Sequence, residues 1–176
     1  MTDSNARRDG GPTRASVKAL FWCSGAGDPM VAASRVEVIA GQGIRGDRYA
    51  LGVGAYSATE PAKPRHLTLI TQDAIDTALA WQLAAGLAPF SVEQTRRNVL
   101  LQGITASELN QLVGVRFQIG SLLFEGFELA TPCERPSQLT GIEGFPDAFH
   151  DRGGLRVRAL SSGSLQIGDR LALTIA

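Results

Sequence analysis

Cys133 stands in the stretch TPCERP, Thr131 to Pro136, between two prolines and next but one to Arg135. Prolines on both sides keep the segment out of a strand interior, so a loop presents this thiol rather than a packed core. A cysteine serves as nucleophile, sulfur carrier or soft-metal ligand through its thiolate, the form that neighbouring cations favour. Cations are available: Arg96-Arg97 opens RRNVLLQGI, and Gly46-Asp47-Arg48 lies in a glycine-rich segment. Guanidinium forks suit phosphate or carboxylate. If a strand begins at the arginine pair, the two side chains point to opposite faces and only one reaches a pocket. The alternative for that pair is a surface ion pair with Glu93, and for Arg48 a loop brace with Asp47.

The other candidates read more plainly. Cys23 follows the apolar run Ala19 to Trp22 and precedes a glycine turn, which suits a core or edge thiol with no partner. His66 and His150 lie too far from each other and from the cysteines for a zinc spacing. His150 is nonetheless followed by Asp151-Arg152-Gly153-Gly154, a polar and glycine-rich run of the kind that makes a pocket rim. No phosphate-cradling glycine loop, dinucleotide fingerprint or nucleophile elbow occurs.

Bulk properties bound the rest. A chain of 176 residues is long enough for one domain with a real core. Its 17 basic residues balance 17 acidic ones, so no global field attracts nucleic acid or an anionic membrane. No apolar run spans a bilayer and the polar N-terminus has no signal-peptide core, which leads to an expectation of a cytoplasmic protein. With only two cysteines, far apart, a structural disulfide is not expected.

The elements that must position these groups are short. Residues 1–14 read as a disordered leader and 15–176 as a single domain. Strands are expected at Val17–Trp22, Ser34–Ile39, His66–Thr71, Asn98–Leu101, Val115–Gly120, through Leu123 and Phe127, and at Leu155–Leu160, Ser164–Gly168 and Leu171–Ile175. One helix is expected from Gln72 to about Ala85, capped by Thr71, with Ile75, Ala78, Leu79 and Leu83 on its apolar face. Ser107–Leu112 reads as a helical turn. Residues 41–66 form a long loop, the kind that binds or covers a ligand. The fold class is therefore mostly β, a single, mainly antiparallel barrel with one main helix and a few helical turns.

In this order the pieces resemble the MOSC family, named for the C-terminal domain of molybdenum cofactor sulfurases. The matching stretches are VEVIAGQGIRGDRYA, RHLTLI, RRNVLLQGI, LNQLVGVRFQIG, the cysteine of TPCERP, and RGGLRVRALSSGSLQIGD. The resemblance implies a β-barrel whose signature cysteine is Cys133, and in the family's reductase branch this thiolate looks like a ligand to molybdenum in a pterin cofactor. It further implies a cofactor-dependent oxidoreductase acting on N-hydroxylated small molecules, with Arg48, Arg97, Asn98 and Arg152 as cofactor-binding residues. Ala130 stands where many relatives have a second cysteine, which excludes a dithiol mechanism. No cysteine cluster exists for an iron–sulfur centre, so electrons would come from a separate reductase. The alternative is a sulfur carrier or cofactor-delivery module, with a persulfide on Cys133 and a sulfur-transfer partner. Neither reading involves nucleic acid or a membrane.

Overall fold

The computed structural model describes residues 14–61 and 63–173; almost all of the expected leader lies outside the described residues. Strands dominate: β1 (Ser16–Trp22), β2 (Val31–Ala33), β3 (Arg35–Ile39), β4 (Gly43–Ile44), β5 (Leu67–Thr71), β6 (Val99–Gln102), β7 (Arg116–Ile119), β8 (Leu122–Leu129), β9 (Leu155–Ala159), β10 (Gly163–Gln166) and β11 (Leu171–Leu173). Eight of them form one curled sheet in the order β11-β7-β8-β9-β5-β6-β1-β2, and β10-β3-β4 form a second. Among the described residues the named strands pair antiparallel except β5 with β6, and one isolated bridge, Val113 with Gly126, is also parallel. The large sheet curls until β11 meets the start of β1. Ser16 bridges Arg170, and Leu171 N–H donates to the Ala15 carbonyl at 3.0 Å.

Alternation in the sequence decides which side chains enter this curl. In β3 the pattern RVEVI buries Val36 and Val38 while Arg35 and Glu37 face water. Leu67 and Leu69 of β5, Val99 and Leu101 of β6, Phe117, Phe124, Leu155 and Val157 fill the interior. The intervening Ile70 and Leu100 point the other way, into a second cluster with helix α1 (Gln72–Ala84) and the aromatic residues Phe90, Phe145 and Phe149. β5 and β6 are thus apolar on both faces because helices cover their outer side. Each fully buried leucine or phenylalanine contributes about 1.5–3 kcal/mol.

Helix α1 begins where Thr71 Oγ1 accepts the Ala74 N–H at 3.1 Å. Its buried face is Ala74, Ile75, Ala78 and Gln82. Leu83, expected on that face, is 81% exposed. Gln82 takes the inner position because its amide donates to the Glu143 carbonyl at 2.6 Å, tying the helix to the chain ahead of a later helical turn. The turn α2 (Ala106–Asn110) matches the expected SELNQL element, with a Thr105–Glu108 capping box.

Two further helices, α3 (Arg135–Thr140) and α4 (Phe145–Ala148), follow Cys133 where no regular element was expected. The short β2 was also not anticipated, and β4 takes two residues from the long loop. Among the described residues no helix is long and apolar enough to cross a membrane.

Candidate functional site

The chain leaves β8 at Leu129, crosses Cys133 and enters α3 at Arg135. Two features hold this loop against β9. Ala130 N–H donates to the Gly154 carbonyl at 2.8 Å. Beneath it lies Gly153, where a Cβ would collide with the Ala130 carbonyl and with the Pro132 ring, so only glycine allows the close approach. The loop is therefore seated on backbone, and the Cys133 thiol is exposed.

That thiol opens into a hollow lined by six arginines, Arg48, Arg65, Arg96, Arg97, Arg135 and Arg156, together with Tyr49 and Tyr56. The arginines come from different parts of the chain. Arg97 follows the 3-10 turn Val92–Thr95. Its Nε donates to the Gly153 carbonyl at 2.7 Å, Nη1 to Thr95 O at 3.1 Å and Nη2 to Ala130 O at 3.4 Å. Arg96 adopts a left-handed backbone, φ 61°, and the strand begins only at Val99. The expected strand alternation therefore does not apply, and both arginines of the pair line the same hollow. Neither pairs with Glu93; Arg96 donates to Asp28 O at 2.8 Å and Ala26 O at 3.1 Å.

Arg48 does both things considered for it. It is buried, its Nη1 lies 3.0 Å from Asp47 Oδ2, and it still lines the hollow. Asp47 is the brace: its carboxylate also accepts from Tyr49 N–H at 3.0 Å and from Cys23 N–H and Asn98 Nδ2 at 3.4 Å each. Cys23 is buried as expected, yet it has partners. Its sulfur lies 3.2 Å from Arg48 Nη1 and 3.5 Å from Arg96 Nη2, so one thiol spaces two guanidinium groups.

Crowded cations in a partly dehydrated hollow repel one another. Burial, then the charge of Arg48, lowers the pKa of Arg96. Burial, then Arg156, pushes Arg97 down to about 10. Tyr56 moves up, through burial first and then through the adjacent Cys133 sulfur. The hollow is electrostatically short of an anion.

A MOSC domain model matches residues 56–172. The chain belongs to the MOSC domain family. Three solved structures share the fold: YuaD from Bacillus subtilis (17% identity, TM-score 0.74, covering 90% of this chain and 94% of that one), YiiM from Geobacillus stearothermophilus (14%, 0.64, 92% and 75%) and YiiM from Escherichia coli (17%, 0.59, 91% and 70%). No curated protein matches the sequence. The family is associated with molybdenum-cofactor binding and includes enzymes that depend on that cofactor.

Within this MOSC domain the residues considered from sequence separate clearly. Cys133, Arg48 and Arg97 meet at the hollow. Asn98 is behind its wall: Oδ1 accepts the Thr68 N–H at 3.1 Å and Nδ2 donates to Phe21 O at 3.1 Å, which joins β5, β6 and β1. Arg152 sits in the turn before Gly153 and does not line the hollow. Arg156, four residues on, does. Leu155 and Val157 of β9 point inward, leaving Arg156 on the other face, where it lies 2.6 Å from Glu128. That alternation was readable in LRVRAL. Arg65, Tyr49 and Tyr56, from the long loop, carried no such signal.

The histidines stay apart from the thiol. His66 Nδ1 accepts the Ala159 N–H at 3.0 Å. His150 is exposed, 3.1 Å from Asp151. Among the described residues no group of three or more His, Cys, Asp or Glu side chains could hold a metal ion. An open thiol beside clustered guanidiniums suits a metal that arrives with most of its ligands and with an anionic tail.

Proposed function

We propose that this MOSC domain binds the molybdenum cofactor and acts as an oxidoreductase on N-hydroxylated small molecules. The observation that carries this reading is the exposed thiol of Cys133 at the edge of a hollow lined by six arginines. Cys133 would ligate the metal through sulfur, and Arg48 and Arg97 would receive the terminal phosphate of the cofactor. When bound, the cofactor supplies the redox chemistry; breaking the N–O bond takes two electrons and two protons and releases water. The protein's part is positional. Tyr49 and Tyr56 wall the hollow on the long-loop side, and the Gly153 seat keeps Cys133 at its edge. A separate reductase delivers the electrons.

Exposure of Cys133 also favours a second reading, since a surface thiol can accept sulfur from a partner and pass it on. The two separate by one measurement: metal, pterin and cyanide-labile sulfur in wild type and Cys133→Ala, after expression in a host that makes the cofactor. Molybdenum and pterin in wild type, with molybdenum lost in the variant, is the expected result. Neither metal nor pterin in wild type, with labile sulfur on Cys133, would replace cofactor binding by sulfur carriage.

A further inference from the structure

Two carboxylates, Asp47 and Glu128, pair with arginines of the hollow: Asp47 with Arg48 and Glu128 with Arg156. The other four, Arg65, Arg96, Arg97 and Arg135, have no carboxylate within ion-pair distance among the described residues. They are not alike. Arg96 and Arg97 are held by backbone carbonyls on several sides. Arg135 makes one long contact, 3.4 Å to Ala26 O. Arg65 lies over the Tyr56 ring, 4.7 Å from its centroid, and its Nε is buried without a hydrogen-bond partner. A buried donor left open in this way costs about 1–3 kcal/mol, and it leaves the guanidinium charge of Arg65 unmatched.

These two freer guanidiniums flank the thiol. Arg135 is two residues beyond Cys133, and both charged and aromatic neighbours of Tyr56 converge there, since Tyr56 interacts with Cys133 and Arg135 while its ring carries Arg65. Glu134, between Cys133 and Arg135 in sequence, does not line the hollow. A single phosphate monoester brings a charge of about −1.5 to −2. That matches the deeper arginines and leaves the pair at the rim without a counterion.

We propose that Arg65 and Arg135 form a second anion seat beside Cys133, which selects a small substrate bearing a carboxylate or comparable oxyanion. This inference rests on the cofactor reading above, in that it gives the deeper arginines to the phosphate. An acidic substrate pairs with these two unmatched guanidiniums in charge-assisted hydrogen bonds, with a fork geometry that a neutral analogue cannot use.

The test is a calorimetric titration of the purified full chain with a matched pair of probes, 4-carboxybenzamidoxime and benzamidoxime. The acid is expected to bind at least about tenfold more tightly, with the preference weakened by salt. Arg65→Gln and Arg135→Gln should each shrink that preference several-fold, leave binding of the neutral probe unchanged and keep the wild-type molybdenum and pterin content. Equal binding of the two probes, or no binding of either, would overturn the proposal. So would cofactor loss in the two variants with the acid preference intact, because the pair would then belong to the cofactor phosphate. The binding ratio needs no turnover, so it stands apart from the fate of the cofactor reading, which metal and pterin analysis of the wild type decides.

Discussion

Arg97 Nε donates to the Gly153 carbonyl at 2.7 Å, so an arginine of the hollow also clamps the backbone on which the Cys133 loop rests. The same guanidinium reaches Ala130 O, at the start of that loop, and Thr95 O. Arg97→Lys keeps the charge but offers one nitrogen in place of a planar fork. Losing a hydrogen bond to a charged donor costs about 1.5–3 kcal/mol, so the melting temperature should fall measurably. Cys133 should react faster with a thiol reagent as its loop loosens. An unchanged melting temperature would mean that the fork carries no load.

The two thiols should behave differently. Cys133 is exposed and Cys23 is buried between Arg48 and Arg96. A water-soluble disulfide reagent is expected to modify one thiol per native chain and two after denaturation, and Cys133→Ser should abolish the native reaction. Two fast thiols in the native protein would show that the end of β1 opens on that timescale.

Much of the scaffold was legible because local patterns and the final environment agree. Alternation marked β3 and β7, and Thr71 announced the start of α1 through its capping hydroxyl. The site was legible only in part. Cys133 stood out because prolines isolate it, with Arg135 beside it, but Arg65 and Arg156 come to that thiol through the pairing of distant segments, which no local window records. The left-handed backbone of Arg96 was equally hidden, and with it the fact that Arg96 and Arg97 share a hollow. Asn98 lies in the right stretch, yet its amide is committed to Thr68 of β5, Phe21 of β1 and Asp47 in the loop after β4.

Helix α1 offers a direct check on burial against apolarity. Ile75 is buried in the second cluster, whereas Leu83, just as apolar, faces water. Ile75→Ala should cost about 2–5 kcal/mol and Leu83→Gln within about 0.5 kcal/mol, measured by denaturant unfolding. A large loss at Leu83 would mean that another surface covers it.

His66 should give the protein an acid-side weakness. Its Nδ1 accepts the Ala159 N–H, and burial, followed by the charge of Arg158, lowers its pKa from the ordinary 6.5. As pH falls, the unfolded chain takes up this proton before the folded one does. The contribution of the neutral ring is therefore complete above 6.5 and declines below it, until pH passes the lowered folded value. His66→Asn supplies an oxygen that accepts the same N–H without titrating. Between about pH 7 and about pH 5 the wild type should lose stability more steeply than this variant, as read from urea midpoints. Parallel curves would remove His66 as the cause.

The unmatched cations should make stability depend on which anion is present. Arg97, pushed down to about 10, stays charged at neutral pH in both folded and unfolded chains, so a modest pH change does not relieve its repulsion from Arg156. An anion bound in the hollow does relieve it, and it binds the folded state alone. Linkage then raises stability by about 2.7 kcal/mol when the ligand is at a hundredfold excess over its dissociation constant. Phosphate should therefore raise the melting temperature relative to chloride at matched ionic strength, a comparison that subtracts general screening. Arg96→Gln removes one of the guanidiniums that line the hollow and should diminish the gain, while Arg152→Gln, outside the hollow, should leave it intact. If chloride stabilises as well as phosphate, or if Arg152→Gln is the variant that loses the effect, the anion sits elsewhere and the arginines around Cys133 are matched by some other charge.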